Sequence, residues 1–161
     1  GIEVFAYAID TTGTPFTTWI AGRVAPDAES AVSRIEEEAN AYVDRSYIPD
    51  EELPRYFDHA DIVLLPYLSG TTSGAIHLAR AFETAVVTSD LPYFRSVVED
   101  GVDGCVLEEA TPSRLTGVLD DLVAAPARLE SLGSAGLETE RSDRFDWERI
   151  AAEAAEVYRT T

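Results

Sequence analysis

The sequence has no lysine, no methionine and one cysteine among its 161 residues. The lone Cys105 excludes an intramolecular disulfide and a cysteine-rich metal centre, and we expect it to be a small buried apolar side chain. No apolar run is long enough to cross a bilayer, and no secretory signal opens the chain. Because the sequence starts at Gly1 and contains no methionine, we expect it to be a piece of a longer protein.

Basic residues are scarce, since 12 arginines stand against 30 acidic residues and give a net charge of −18. Such a surface repels nucleic acid and anionic lipid, so we expect no nucleic-acid partner. At 1 M salt the Debye length falls to about 3 Å, which screens this self-repulsion. The acidic, lysine-free surface therefore predicts a protein of a high-salt cytoplasm. Greater thermal stability in low salt than in multimolar KCl would contradict this expectation.

Strand and helix patterns alternate along the chain. Strand patterns are predicted at residues 17–22, 41–48, 61–67, 85–89 and 104–108. Helical patterns are predicted at residues 26–40, 49–60, 74–82, 111–125, 126–140 and, as a C-terminal helix, 145–159. This alternation predicts one α/β domain over residues 1–161, a Rossmann-like three-layer fold in which an open parallel sheet has helices on both faces.

Local signals predict how some of these elements begin and where their loops lie. Asp27 is placed to cap the first predicted helix. The run DIVLLPY, residues 61–67, is continuously apolar, as is typical of a strand buried on both faces of a parallel sheet. Because ligands bind at the carboxyl ends of parallel strands, we expect the loops after Gly22, after Ile48 and at residues 69–73 to share one rim.

The loop SGTTSG, residues 69–74, separates an apolar strand from a helix. Thr72 or Ser73 can cap that helix, and the first amides, from Ser73, Gly74 and Ala75, then lack intrahelical partners. The helix dipole adds about half a positive charge at this end, so these residues form a candidate phosphate site. The same residues also fit a loop that only caps and turns. The loop matches neither the Walker nor the dinucleotide glycine pattern.

Three longer stretches together carry a family resemblance. They are SVVEDGVDGCVLEEATPSRLTGVLDDLVAAP at residues 96–126, YIPDEELPRYFDHADIVLLPY at 47–67 and RFDWERIAAEAAEVY at 144–158. Their order and spacing resemble the GT-B glycosyltransferases, especially the large retaining family often numbered four. The resemblance extends from Thr17 to Tyr158 and implies the C-terminal, donor-binding domain of a two-domain enzyme.

The resemblance implies a function and a set of partners. The full protein would be a retaining, metal-independent transferase that moves a sugar from a nucleotide-sugar donor to a glycan or lipid-linked acceptor, without a cofactor. An absent N-terminal domain would supply the acceptor site and any membrane contact, so the present chain alone is predicted to be inactive. Residue roles follow from the same resemblance: donor diphosphate at Thr72, Ser73, Gly74 and Ala75; nucleotide base and ribose at Tyr47, Ile48 and Leu78; phosphate contacts at Gly22 and Arg23.

The sequence departs from the family at the two glutamates that usually contact the donor sugar and the ribose. Gly70 and Leu78 stand at those positions, and neither side chain can accept a hydroxyl hydrogen bond. Glu83 is a candidate displaced partner, or an ordinary acid at a helix end. Arg80 is expected near the crevice, as a phosphate ligand or as surface charge. His77 is expected to be packed or solvated.

Two other functions fit the same two-domain plan. A sugar-nucleotide epimerase would need acid and base groups near the sugar, and His77 or Glu83 would have to serve. A degenerate, non-catalytic scaffold domain would explain the loss of both glutamates. Neither histidine, His59 or His77, is spaced as a metal ligand, and no metal site is predicted.

Overall fold

The computed structural model describes residues 1–142, 151–152 and 155–156. The predicted C-terminal helix at 145–159 lies mostly outside these residues. The described elements are α1 Ile2–Ala8, β1 Thr18–Ala21, α2 Glu29–Glu36, β2 Ala41–Asp44, a 3₁₀ turn Asp50–Glu52, α3 Leu53–Phe57, β3 Ile62–Leu65, α4 Gly74–Ala81, β4 Ala85–Ser89, α5 Pro92–Val97, β5 Cys105–Leu107, α6 Pro112–Val123 and α7 Pro126–Glu140.

All strand pairs among the described residues are parallel, and they form two sheets. β1 pairs with β2, and the other sheet has the order β3-β4-β5. The predicted α/β class with an open parallel sheet is therefore confirmed, but its hydrogen bonding is divided in two. β1 and β3 each pair on one side only within this part of the chain.

Helix α1 packs between the two sheets in a shared core. A Cβ atom added at Gly1 would lie 2.0 Å from the Pro66 carbonyl oxygen, so the helix begins against the carboxyl end of β3. It packs on α2 and α6, and the chain then continues into β1. Ile20 of β1 and Leu64 of β3 pack on the same core cluster as Val4 and Phe5 of α1, so the helix lies in a core that both sheets share. The sequence interpretation assigned no element to residues 2–8, whose apolar stripe is only two turns long.

Helices cover both faces of the three-stranded sheet, as predicted. Ala85 and Val87 face a core shared with α1, α2, α6 and α7. Val86 faces the opposite core, with Ile76 of α4 and Phe94 of α5. The alternation of these β4 residues is the period-2 pattern of a strand. All five β4 residues are buried, so β4 is the central strand of this sheet.

Three local predictions have clear outcomes. The prediction that residues 61–67 form a strand buried on both faces agrees with the packing of β3, because Ile62 and Leu64 pack on one core cluster and Val63 and Leu65 on the other, although only Leu65 is fully buried. Asp27 does not cap α2, because residues 25–28 form a turn and Ala28 occupies the N-cap position. Cys105 is buried as expected, and the loss of water raises the pKa of its thiol.

Candidate functional site

The loop between β3 and α4 ends in an extended residue followed directly by the helix. Ser73 has φ −148° and ψ 114° and is the N-cap residue, as one of the two predicted alternatives held. Its hydroxyl makes no hydrogen bond to the helix and instead lies 3.3 Å from the Tyr67 hydroxyl. Thr72 is exposed, whereas Ser73 is 6% exposed. The cap side chain is thus turned away from the first helical amides.

Open space adjoins the start of α4. Gly74 is exposed, and a Cβ atom added there would meet nothing within 4 Å. The amides of Gly74 and Ala75 belong to the first turn, where no i−4 carbonyl is available to accept from them. The partial positive charge of the helix dipole is concentrated at the same end. This geometry can hold an oxyanion on main-chain donors alone.

A hydrogen-bonded group lies behind the loop. The ring nitrogens of His77 lie 2.9 Å from a carboxylate oxygen of Glu140 and 2.9 Å from the Tyr93 hydroxyl. The Tyr93 hydroxyl donates in turn to the Ser73 carbonyl oxygen at 3.4 Å. The sequence interpretation missed this group, because Tyr93 and Glu140 are 16 and 63 residues from His77 and no spacing rule connects them.

The other two predicted loops lie at the carboxyl ends of β1 and β2. Gly22 has φ 133°, a conformation that favours glycine, and a Cβ there would meet nothing within 4 Å. The guanidinium carbon of Arg23 lies 5.4 Å from the centre of the Tyr47 ring, which is a cation–π distance. Tyr47 is 62% exposed, whereas Ile48 is 9% exposed. The structure therefore brings the predicted residues of these two loops together.

Asp44 fixes the backbone that leads into the Tyr47 loop. One carboxylate oxygen accepts from the Ser46 amide at 3.0 Å and from the Ser46 hydroxyl at 2.5 Å. The other accepts from the Tyr56 hydroxyl at 2.9 Å. The Ser46 hydroxyl first, then its amide and the Tyr56 hydroxyl, lower the pKa of Asp44. Asp44 was not among the predicted residues, although an Asp two residues before a Ser is a common turn signal.

Three residues considered from the sequence lie elsewhere. The prediction that Arg80 lies near the crevice is wrong, because its side chain is fully buried and paired with Asp103 at 2.8 Å. Glu83 has φ 56° beyond the carboxyl end of α4, and the eight residues of that helix span about 12 Å. Glu83 is therefore the ordinary acid at a helix end. Leu78 is half-buried within α4, one turn beyond Gly74.

The part of the chain that the structure describes contains no cluster of three or more His, Cys, Asp or Glu arranged to hold a metal ion. Among the same residues, no helix is long and apolar enough to cross a membrane. The chemistry that remains at the rim is that of main-chain donors, one arginine and an exposed aromatic ring. Such a set suits a ligand with phosphate groups and a flat ring.

Comparisons with known proteins agree with this fold. Residues 1–125 match the family model described as "Glycosyl transferases group 1", so the chain belongs to that family. Alpha-maltose-1-phosphate synthase of Mycolicibacterium smegmatis is 30% identical over 145 residues, which are 85% of this chain and 37% of that protein. Phosphatidyl-myo-inositol mannosyltransferase of the same organism is 34% identical over 106 residues, which are 63% of this chain and 26% of that protein.

Solved structures show the same fold. Sucrose-phosphate synthase from Thermosynechococcus elongatus matches with a TM-score of 0.86 and 21% identity, over 99% of this chain and 42% of that one. Anabaena HepE, solved in complex with UDP and glucose, matches with a TM-score of 0.81 and 18% identity, over 99% of this chain and 44% of that one. The predicted GT-B fold is confirmed. The chain spans well under half the length of each of these relatives.

Proposed function

We propose that this chain is the donor-binding domain of a retaining, metal-independent glycosyltransferase, which transfers a sugar from a nucleotide sugar to a glycan or lipid-linked acceptor. The observation that carries the proposal is the start of α4, where the uncapped amides of Gly74 and Ala75 adjoin open space at the carboxyl end of β3. The family match over residues 1–125 and the UDP and glucose bound in HepE support the same ligand class.

The donor would bind across the rim. Its diphosphate would accept hydrogen bonds from the first amides of α4, with Thr72 beside them and the helix dipole opposing its charge. Arg23 would contact a phosphate, and Tyr47 with Ile48 would face the base. Leu78 would offer the ribose only apolar contact.

These groups would serve the reaction at the leaving group. When the bond between sugar and diphosphate breaks, negative charge grows on the diphosphate. Fixed amide dipoles and one guanidinium stabilise that charge without reorganising, and this is the form of stabilisation that lowers a barrier most. The described rim residues therefore supply leaving-group stabilisation, and the acceptor side of the reaction is assigned to the rest of the protein.

We also propose that a preceding segment completes the sheet and leads into an N-terminal domain. The unpaired edges of β1 and β3 support this, because Ile20 and Leu64 of these strands pack on the same core cluster. Helix α1 begins at the carboxyl end of β3, where a parallel strand preceding it would end. One further parallel strand between the two edges would join the two sheets into one.

One observation favours a second candidate, a degenerate scaffold domain. Gly70 and Leu78 offer no carboxylate to a donor sugar or ribose, and Glu83, the displaced partner considered from the sequence, lies at the other end of α4. A scaffold would bind no nucleotide in the full-length protein, whereas the donor domain would.

Nucleotide titration tests the donor site directly. We expect UDP, GDP or ADP to shift the amide NMR signals of Ser73, Gly74 and Ala75, because those amides would donate to the diphosphate. Gly74→Asp should weaken binding at least about tenfold, since it places a carboxylate where the phosphate would lie.

Gly117→Asp is the matched control. Gly117 is an exposed helical glycine of α6 with nothing within 4 Å of an added Cβ, so the same charge is introduced far from the rim. Nucleotide affinity in this variant should stay at the wild-type value. If no nucleotide shifts the three amides, or if both variants lose affinity equally, the donor site is not at the start of α4.

A further inference from the structure

His77 connects the start of α4 to the last described helix. Its Nδ1 atom lies 2.9 Å from Glu140 at the end of α7, and its Nε2 atom lies 2.9 Å from the Tyr93 hydroxyl in α5. The His77 and Glu140 side chains are 29% and 18% exposed. Three helices that are distant in sequence are therefore joined at one imidazole, directly behind the proposed phosphate loop.

The Tyr93 hydroxyl sets the direction of the hydrogen bonds on its side of His77. It has one proton, which it donates to the Ser73 carbonyl oxygen at 3.4 Å. With that proton used, it accepts from His77 Nε2. The Glu140 carboxyl group lies 2.9 Å from His77 Nδ1 and forms the other hydrogen bond of the ring. The chain of hydrogen bonds therefore runs from Glu140 through His77 and Tyr93 to the Ser73 carbonyl.

The Ser73 carbonyl, at the end of this series of hydrogen bonds, fixes the orientation of the Gly74 amide through covalent geometry. The Ser73 carbonyl and the Gly74 amide belong to one peptide unit, which is planar and trans. A hydrogen bond that holds the carbonyl oxygen toward Tyr93 therefore holds the Gly74 N–H in the opposite direction, away from Tyr93. Space beside Gly74 is open, since an added Cβ would meet nothing within 4 Å. Tyr67 steadies the same residue from its other side, at 3.3 Å from the Ser73 hydroxyl.

We infer that His77 is a positioning residue of the donor site, which acts through Tyr93 and the Ser73 carbonyl to aim the Gly74 amide at the donor diphosphate. The inference rests on the proposed function. Both ring nitrogens of His77 are engaged by Glu140 and Tyr93, which leaves it a positioning role and no direct contact with the reacting atoms.

The test compares His77→Phe with His77→Gln in the full chain. Phenylalanine removes both hydrogen bonds, whereas the glutamine amide N–H can replace His77 Nε2 as the donor to Tyr93. We expect the phenylalanine variant to raise the dissociation constant of UDP about tenfold, since a misdirected donor loses most of its contribution. Glutamine should restore the affinity to within about threefold of the wild type. A residue that only fills space would not show rescue by glutamine.

The free protein gives a second readout that needs no ligand. His77→Phe and Tyr93→Phe should shift the Gly74 amide NMR signal in the same direction, because each removes the hold on the Ser73 carbonyl. His59→Gln is the control, because His59 is exposed and its ring contacts only the Arg55 carbonyl among its hydrogen bonds. It should change neither the Gly74 signal nor the affinity.

The outcomes separate the two proposals. If wild-type protein binds no UDP, GDP or ADP, the proposed function fails, and the Gly74 signal of the free variants still tests the positioning role. If wild type binds but His77→Phe and Tyr93→Phe leave both the affinity and the Gly74 signal unchanged, the positioning inference is wrong. If His77→Phe fails to fold, Tyr93→Phe carries the same test, because it removes only the hydroxyl.

Discussion

The three-stranded and two-stranded halves of this domain differ in how they are built. β4 of the three-stranded half is buried along its whole length and has helices on both faces. In the two-stranded half, Trp19 and Tyr42 are 61% and 54% exposed, and their rings stack on each other at 4.9 Å, with Tyr56 of α3 edge-on to Trp19. One half has a closed core, and the other leaves much of one face exposed.

The difference matches the two parts of the proposed ligand. The amides that would hold the diphosphate extend from the closed half, where α4 is packed against β3 and β4. A preorganised oxyanion site needs such rigidity, because its donors must not reorganise. The loops that would face the base extend from the open half, where Asp44 and an Arg23–Tyr47 contact order them locally. Rigid packing thus serves the charged end, and local hydrogen bonds serve the aromatic end.

The largest loss of unfolding free energy is expected from a substitution in the closed, three-stranded half. Asp103→Ala removes the carboxylate that lies 2.8 Å from the Arg80 guanidinium, in a pair that is almost fully buried. Breaking a buried ion pair by removing one partner costs about 3–5 kcal/mol of unfolding free energy. Chemical denaturation measures this loss. Asp90→Ala, which removes a solvent-accessible pair with Arg95, should cost much less because water solvates both charges, and equal losses would contradict the comparison.

A smaller effect is expected in the open half. Trp19→Ala removes a stacked but exposed aromatic pair with Tyr42. Such pairs contribute about 0.5–1.5 kcal/mol, so the unfolding free energy should fall by about 1 kcal/mol. Leu68→Ala, at an exposed loop position, is the control and should have almost no effect. A loss as large as that of Asp103→Ala would mean that the aromatic face is covered in the protein.

The smallest effect concerns the loop order that Asp44 provides. Hydrogen bonds to Asp44, mainly from Ser46 and to a lesser extent from Tyr56, lower its pKa below the usual 3.8. The stabilisation is therefore complete above that usual value and is lost as the pH falls through the lower pKa of the folded protein. The Ser46 amide NMR signal should follow this titration. Asp44→Asn should abolish it.

Asp120 provides the matched control for that titration. A hydrogen bond from the Thr12 hydroxyl is the main cause that lowers the pKa of Asp120 as well. The Asp120 carboxylate, however, lies between α6 and the loop after α1. Asp120→Asn should leave the acid titration of the Ser46 amide unchanged. If both variants alter it equally, acid acts on the fold as a whole.

For the three-stranded half, sequence patterns predicted the order and starts of the elements better than the position of each strand in the sheet. The alternation of strands and helices, the N-cap position of Ser73 and the beginning of a helix near residue 111 are local signals, and the structure confirms them. β3 was expected to be buried on both faces, because its apolar run has the composition of a central strand. Both of its faces do pack on core clusters. Its position at one side of the described sheet depends on which strands pair, and composition does not encode pairing.

The candidate site divides in the same way. The glycine and hydroxyl residues of the 69–74 loop are contiguous, so the loop could be predicted as an anion site from the sequence. Arg23 and Tyr47 were each predicted, but their stacking depends on two loops meeting. Arg80 was misplaced because a single arginine in a helix gives no sign of whether a buried carboxylate faces it.

By itself the sequence determined the α/β class, the family and the position at which α4 begins, because these depend on neighbours along the chain and on their periodicity. The tertiary structure alone decided that the sheet is divided into two halves, that Arg80 is buried against Asp103, and that His77 stands between Glu140 and Tyr93. Hydrogen bonds and ion pairs between distant residues form only when packing brings their atoms within about 3 Å, and that distance is a property of the fold.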